Sequence, residues 1–313
     1  MNLAPIVLFV YNRPQHTLKT LEALMQNELA EKSELFIYCD GPKPNAKKED
    51  LDKIDAVHTI ILKKQWCKKV HIIKAEVNKG LANSIVAGVT EIVNRYGKII
   101  VLEDDIVTSK GFLRYMNEAL NLYENEPKIM HIGSYLPYTN SYRKLPETFL
   151  SRFMSCWGWA TWKTSWNKAN WNESELYEQI KDPKVRNEFN LEGVLNFHEQ
   201  LENNIDGSIN TWAIKWFASI FLCNGLCLYP SHSFTKNIGF DGTGENCDLL
   251  DIKERKGGRD FIKVTKIKIE ESSLGKRYLK RYYIYGNDSG FEKRFKQKFL
   301  DFRYQLVKTI KSN

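Results

Sequence analysis

No run in this sequence is apolar enough to cross a bilayer: the longest, Trp216 to Tyr229, is broken by Asn224 and falls short of the roughly 20 residues a spanning helix needs. The chain enters an apolar, strand-like segment almost at once, so no secretory signal is expected. No internal repeat and no low-complexity linker divides it. The six cysteines (Cys39, Cys67, Cys156, Cys223, Cys227 and Cys247) include no CxxC pair, have no histidine-rich cluster beside them, and lie mostly within apolar segments. They read as reduced core thiols, as in a cytoplasmic protein. GxGxxG is missing after the first strand-like segment and GxxxxGK[ST] is missing throughout, which argues against a dinucleotide-binding fold and a P-loop enzyme.

The 313 residues are 42% apolar, ample for one large domain or two smaller ones. Forty-six basic residues against thirty-eight acidic give a formal charge of +8, which suits an anionic partner such as a nucleotide diphosphate, a lipid phosphate or a membrane surface. Nucleic acid is not among the expected partners, although charge alone leaves it open.

The spacing predicts strands at Pro5 to Tyr11, Leu35 to Cys39 and Lys69 to Lys74. Helical patterns follow each, to about Leu29, over Asp50 to Lys64, and from Asn78-Lys-Gly80 through Val93. Strands alternating with helices mean βαβ units and a mainly parallel sheet flanked by helices. The fourth strand, in Lys98-Ile-Ile-Val-Leu-Glu-Asp-Asp-Ile106, is a buried apolar run that ends in Glu103, Asp104 and Asp105. Ligands of open α/β sheets collect outside the carboxyl ends of strands, so these acids face the expected crevice. Adjacent carboxylates repel unless a cation joins them, and Mg²⁺ or Mn²⁺ shared with substrate phosphates is the usual solution. A solvated turn before the helical pattern from Gly111 to Asn125 is the plainer reading.

Two other predicted strand ends carry polar residues. Arg13 offers a forked cationic donor for phosphate, and Asp40 an acceptor for a base or ribose beside Gly41. Their plainer readings are a sheet-edge cover and ordinary turn chemistry. Five of the eight tryptophans crowd into Trp157-Gly-Trp-Ala-Thr-Trp-Lys-Thr-Ser-Trp166 and Trp171. Indoles stack on sugar faces, so Trp157 and Trp159 are candidates for acceptor contact. Trp159, Trp162 and Trp166 also have helical spacing, which suits a core helix. Asn237-Ile-Gly-Phe-Asp-Gly-Thr-Gly-Glu-Asn-Cys247 is a Gly-rich candidate lid. From Gly275 on, basic residues dominate, and Phe291, Phe295, Phe299, Phe302, Leu306 and Ile310 recur at helical spacing. Such a tail suits an anionic membrane surface, or equally a stripe docked on the core.

With those motifs in order, the chain resembles the GT-A glycosyltransferases, and among them bacterial relatives of N-acetylglucosaminyltransferase I, over roughly residues 4 to 250. Val101 to Phe112, Trp157-Gly-Trp-Ala-Thr-Trp162 and Asn237-Ile-Gly-Phe-Asp-Gly carry the likeness. The resemblance implies that Asp105 binds the metal, that Glu103 and Asp104 hold the nucleotide sugar, that Arg13 and Asn83 lie near the nucleotide, and that Asp40 reads the base. It also implies an inverting transfer in which a carboxylate deprotonates the acceptor hydroxyl. Relatives often carry that base just before the position of Trp212, where this chain has Asn210-Thr211, and a histidine where it has Asn246. Asp206 is the preferred substitute, with Asp241 and Glu245 as the other nearby acids.

The expectation is a GT-A domain over 1–274, comprising a nucleotide-binding half (1–108) and an acceptor half (109–274), followed by a basic amphipathic tail (275–313). It would transfer a sugar, GlcNAc-like in the first instance, from a nucleotide-diphosphate donor, foremost a UDP-sugar, to a surface-glycan or lipid-linked acceptor. The setting would be cytoplasmic, with a peripheral place on the inner membrane. The alternatives are a carbohydrate-binding scaffold and a sugar nucleotidyltransferase. The latter more often has a basic Gly-rich loop where this chain has Asn12-Arg13-Pro14-Gln15.

Overall fold

A computed structural model describes residues 2–138, 145–241 and 261–285. The chain begins with three strand–helix pairs: β1 (Ile6–Val10) and α1 (Pro14–Met25), β2 (Glu34–Cys39) and α2 (Lys48–Leu62), β3 (Lys69–Lys74) and α3 (Leu81–Tyr96). Next come β4 (Lys98–Glu103), β5 (Ile106–Thr108), α4 (Phe112–Leu122), β6 (Ile129–Gly133), β7 (Thr148–Ser151) and β8 (Trp159–Trp162). Four short helices follow, α5 (Lys163–Trp166), α6 (Glu173–Ile180), α7 (Pro183–Phe189) and α8 (Phe197–Ile205). The longer α9 (Trp212–Leu222), β9 (Leu226–Pro230), β10 (Thr235–Asn237) and α10 (Ser273–Tyr285) complete the described chain.

Eight strands form one mixed sheet in the order β3-β2-β1-β4-β8-β6-β9-β7, with four parallel and three antiparallel pairings. Side chains alternate across the sheet, and the two apolar layers follow from that period of two. Val7, Phe9, Ile99 and Val101 pack with Ile85, Val89 and Ile92 of α3 on one face. Ile6, Leu8, Ile100 and Leu102 pack with Leu21 and Leu24 of α1 and Val57 and Ile61 of α2 on the other. Helices on both faces explain why β1 and β4 read as unbroken apolar runs. The strand order reverses at β1, which pairs in parallel with β2 on one side and β4 on the other. That reversal opens a crevice at the carboxyl ends of β1 and β4.

The tryptophan stretch is not the core helix that its spacing suggests. Trp159–Trp162 is β8, antiparallel between β4 and β6. Three residues apart on a strand, Trp159 and Trp162 face opposite layers, the first beside Trp166, Trp212 and Trp216, the second beside the α4 side. Ring centroids 5.7 Å from Trp159 to Trp166 and 5.1 Å to Trp212 make this stack a large part of the core.

Helix α10 spans the position where the basic tail is expected to start, and it is docked. Leu279 is fully buried, the Tyr278 hydroxyl donates to the Pro137 carbonyl at 2.7 Å, and Gly275 lies so close to the Phe149 ring that a Cβ would overlap it. The phenylalanine stripe beyond it lies outside the described residues. Among those described, no helix is long and apolar enough to cross a membrane.

Candidate active site

Arg13 sits in the N-cap position of α1, directly after β1, with Pro14 pre-setting the first helical turn. Across the crevice, β4 ends at Glu103 and the chain turns through Asp104 and Asp105 into β5. The Thr20 hydroxyl of α1 fixes that turn by donating to the Asp104 carbonyl at 2.7 Å. The Arg13 guanidinium then forks onto the acids: Nε meets Asp104 Oδ2 at 3.3 Å, Nη2 contacts Asp104 Oδ1, and the same Nη2 reaches Asp105 Oδ2 at 3.0 Å. Burial opposes the Arg13 charge, but Asp104 and Asp105 more than offset it and hold the guanidinium protonated.

Burial lifts the Asp104 carboxyl to about 6, with Arg13 opposing the rise. Glu103 is lifted further, to about 8, first by burial and then by Asp105 and Asp104. Its carboxylate accepts no hydrogen bond from any described residue, and neither does Asp105 Oδ1.

The pairing of β10 with β5, Asn237 opposite Ile106, carries the Asn237-Ile-Gly-Phe segment over these acids. The Ile238 amide donates to the Asp105 carbonyl at 2.9 Å, and the Gly239 amide to Asn237 Oδ1 at 2.7 Å. At Gly239 an added Cβ would run into the Asp105 carboxylate, so only glycine lets the segment lie this close.

Arg13, the three acids, Asn237 and Phe240 line a cavity of about 580 Å³ together with Asp40, Trp157, Asn210 and Trp212. The volume is within the range of small-molecule sites. Of the expected site residues, Arg13, Asp40, Glu103, Asp104, Asp105 and Trp157 therefore meet in one place. Trp157 contacts the rings of Tyr135 and Phe240, at centroid distances of 4.3 and 5.3 Å. Sequence reasoning gave no role to Tyr135, which carries no local signal. Phe240 was visible only as part of the glycine motif.

Other expected site residues stand elsewhere. Trp159 is fully buried in the tryptophan stack and cannot touch an acceptor. Asn83 is exposed on α3 and donates to the Lys79 carbonyl, while its neighbours Ala82 and Ser84 line the cavity. Asp206 ends α8 in solvent, where it accepts from the Ser208 amide at 2.8 Å, a bond that lowers its pKa. Asp241 pairs with His16 at 3.1 Å, outside the cavity wall. Glu245 and most of the Gly-rich stretch lie outside the described residues. Asn210, where relatives often carry a base, does line the cavity.

Among the described residues, no three acid, histidine or cysteine side chains converge as a metal cage. Mg²⁺ and Mn²⁺ seldom need one: one or two carboxylates suffice when substrate phosphates and water complete the shell. Asp105 Oδ1 and the Glu103 oxygens, which no described residue engages, fit that hard-donor chemistry.

Fold and cavity together define an α/β protein with a carboxylate- and arginine-walled pocket at the reversal point of its sheet. No protein-family model and no curated protein matches the chain. Among solved structures it is similar to a mannosyltransferase from Pyrobaculum calidifontis in complex with GDP-Man and Mn²⁺, at 10% identity and a TM-score of 0.39, over 56% of this chain and 46% of that one. It is also similar to S. aureus TarS 1-349, at 12% identity and a TM-score of 0.35, over 63% of this chain and 55% of that one. A second S. aureus TarS structure matches at 11% identity and a TM-score of 0.34, over 63% of this chain and 33% of that one. The chain thus covers about half of those structures or less.

Proposed function

We propose that this chain is a metal-dependent, inverting glycosyltransferase of the GT-A type, a relative of the N-acetylglucosaminyltransferase I group, acting on a nucleotide-diphosphate sugar, foremost a UDP-sugar. One observation carries the reading: a guanidinium and carboxylate oxygens that no described residue engages share the wall of a cavity at the carboxyl ends of β1 and β4. A nucleotide diphosphate needs both, a fixed cation for its phosphates and hard oxygens for the divalent ion it brings. Arg13 Nη1, which makes no hydrogen bond to a described residue, is the donor assigned to phosphate. Asp105, with Glu103 beside it, would hold Mn²⁺ or Mg²⁺. Such an ion, when bound, neutralises charge on a departing diphosphate.

Trp157 and Phe240, both in the cavity wall, offer an aromatic face to the acceptor sugar. Asp206 and Asp241 are left out of the catalytic assignment because their contacts hold them away from the cavity. The acceptor we propose is a surface or lipid-linked glycan, met at the cytoplasmic membrane face through the basic C-terminal region. Asn210 on the wall favours a second reading, a glycan-binding protein that transfers nothing. Titration calorimetry with UDP-sugars, with and without Mn²⁺, separates the two. The transferase binds donor only with metal and loses that binding in Asp105→Asn. Glycan binding that ignores nucleotide and metal overturns the proposal.

A further inference from the structure

We propose that Asp40 is a positioning residue: its carboxylate holds the 78–80 turn that walls the cavity and does not read a nucleobase. The inference rests on the nucleotide-diphosphate reading above. An ionised carboxylate has about four acceptor positions. At Asp40 four hydrogen bonds arrive. Oδ1 accepts from the Gly41 amide at 2.9 Å and the Lys79 amide at 2.8 Å, and Oδ2 from the Gly80 amide at 2.9 Å and Asn78 Nδ2 at 3.1 Å. A base N–H would have to displace one of these donors, and two of the four are backbone amides of the turn itself.

The surroundings show why the turn needs this anchor. Gly80 occupies the N-cap of α3 at φ +76° and has no side chain to cap the helix. Gly41 lies against the Val77 backbone so closely that a Cβ would overlap it, so the 40–41 and 77–80 segments are pressed together. Asn78 Nδ2 also donates to the Gly41 carbonyl at 3.0 Å, closing the pair of segments. Gly80, Leu81, Ala82 and Ser84, which this clamp positions, all line the cavity. Asp40 therefore shapes the wall through the turn, so it affects every nucleotide alike.

Asp40→Asn tests this with little change of shape. It exchanges one acceptor oxygen for an amide that faces N–H donors. Two measurements are made on the full chain: amide hydrogen exchange over 76–84, and affinities for UDP, GDP, CDP and dTDP with Mn²⁺. The clamp predicts exchange at 78–84 at least tenfold faster and affinity about tenfold weaker for all four nucleotides, as expected when charge-assisted bonds are lost, with their ranking unchanged. Asn78→Ala should give a smaller version of the same pattern. A changed nucleotide ranking in Asp40→Asn, or unaltered exchange at 78–84, overturns the proposal. If the wild-type chain binds none of the four, the nucleotide reading falls, and the exchange data still decide whether Asp40 holds the turn.

Discussion

Arg13 grips Asp104 by both carboxylate oxygens, Nε standing 3.3 Å from Oδ2 while Nη2 rests on Oδ1. Replacing it with methionine would leave Asp104 and Asp105 buried side by side without a cation. Breaking a buried pair from one side costs about 3–5 kcal/mol. The cost grows with pH: burial already holds Asp104 at about 6, above its unfolded value, and without Arg13 it rises further. Urea unfolding of Arg13→Met should therefore show a larger deficit at pH 8 than at pH 5. An equal deficit at both would place the pair's contribution outside electrostatics.

Gly239→Ala puts a methyl group into the Asp105 carboxylate, which Arg13 prevents from turning away. Overpacking of this kind costs about 1–3 kcal/mol, taken up here by the 237–241 segment withdrawing from the acids. Donor binding should weaken at least tenfold while the melting temperature moves little. Calorimetry and thermal unfolding on the same variant check both.

Trp157 and Trp159 are two residues apart and should behave oppositely. Trp157 lines the cavity, so its alanine variant loses glycan contact with a small change in stability. Trp159 is fully buried, and truncating it should cost about 3–5 kcal/mol, as for other large core aromatics. Denaturant midpoints set beside acceptor binding distinguish the two roles.

His131 gives the fold a defined weakness to acid. It is fully buried; Trp216 Nε1 donates to its Nδ1 at 3.3 Å, which leaves the Nε2–H to donate to the Ser155 carbonyl at 3.0 Å. Burial pushes its pKa down to about 3. The unfolded chain takes up a proton near pH 6.5 that the folded chain refuses. Its contribution is therefore full above about pH 6.5 and is lost on acidification toward pH 3, at up to about 1.4 kcal/mol per pH unit. Stability of His131→Gln measured from pH 4 to 7 should have a slope smaller by one proton.

Leu279→Ala tests whether α10 belongs to the core. Its side chain is fully buried, so the loss should be about 2–5 kcal/mol. A chain cut after residue 274 should melt lower still, since it also loses Tyr278 and its bond to Pro137. Unchanged unfolding in both would mean that α10 lies loosely on the surface.

Much of the first hundred residues was legible because local rules agree there. β-branched runs, intervening amphipathic helices and Pro14 after Arg13 point to one topology, and the strand at Lys69–Lys74 falls where the spacing placed it. The tryptophan stretch misled because Trp159, Trp162 and Trp166 satisfy helical spacing, yet the sheet draws 159–162 into its middle. The short β5, β7 and β10 left no periodic trace, since three or four residues cannot establish one.

By itself the sequence determined the α/β layering, the strand that ends in three acids, and a tail rich in basic residues, all of which follow from local pattern and composition. Only the tertiary structure decided that Arg13 meets Asp104 and Asp105, that the four donors around Asp40 converge, and that Trp159 is core while Trp157 faces the cavity. The physical reason is distance along the chain. Arg13 and Asp104 are 91 residues apart, and no local preference encodes which strands will lie side by side or where their ends will meet.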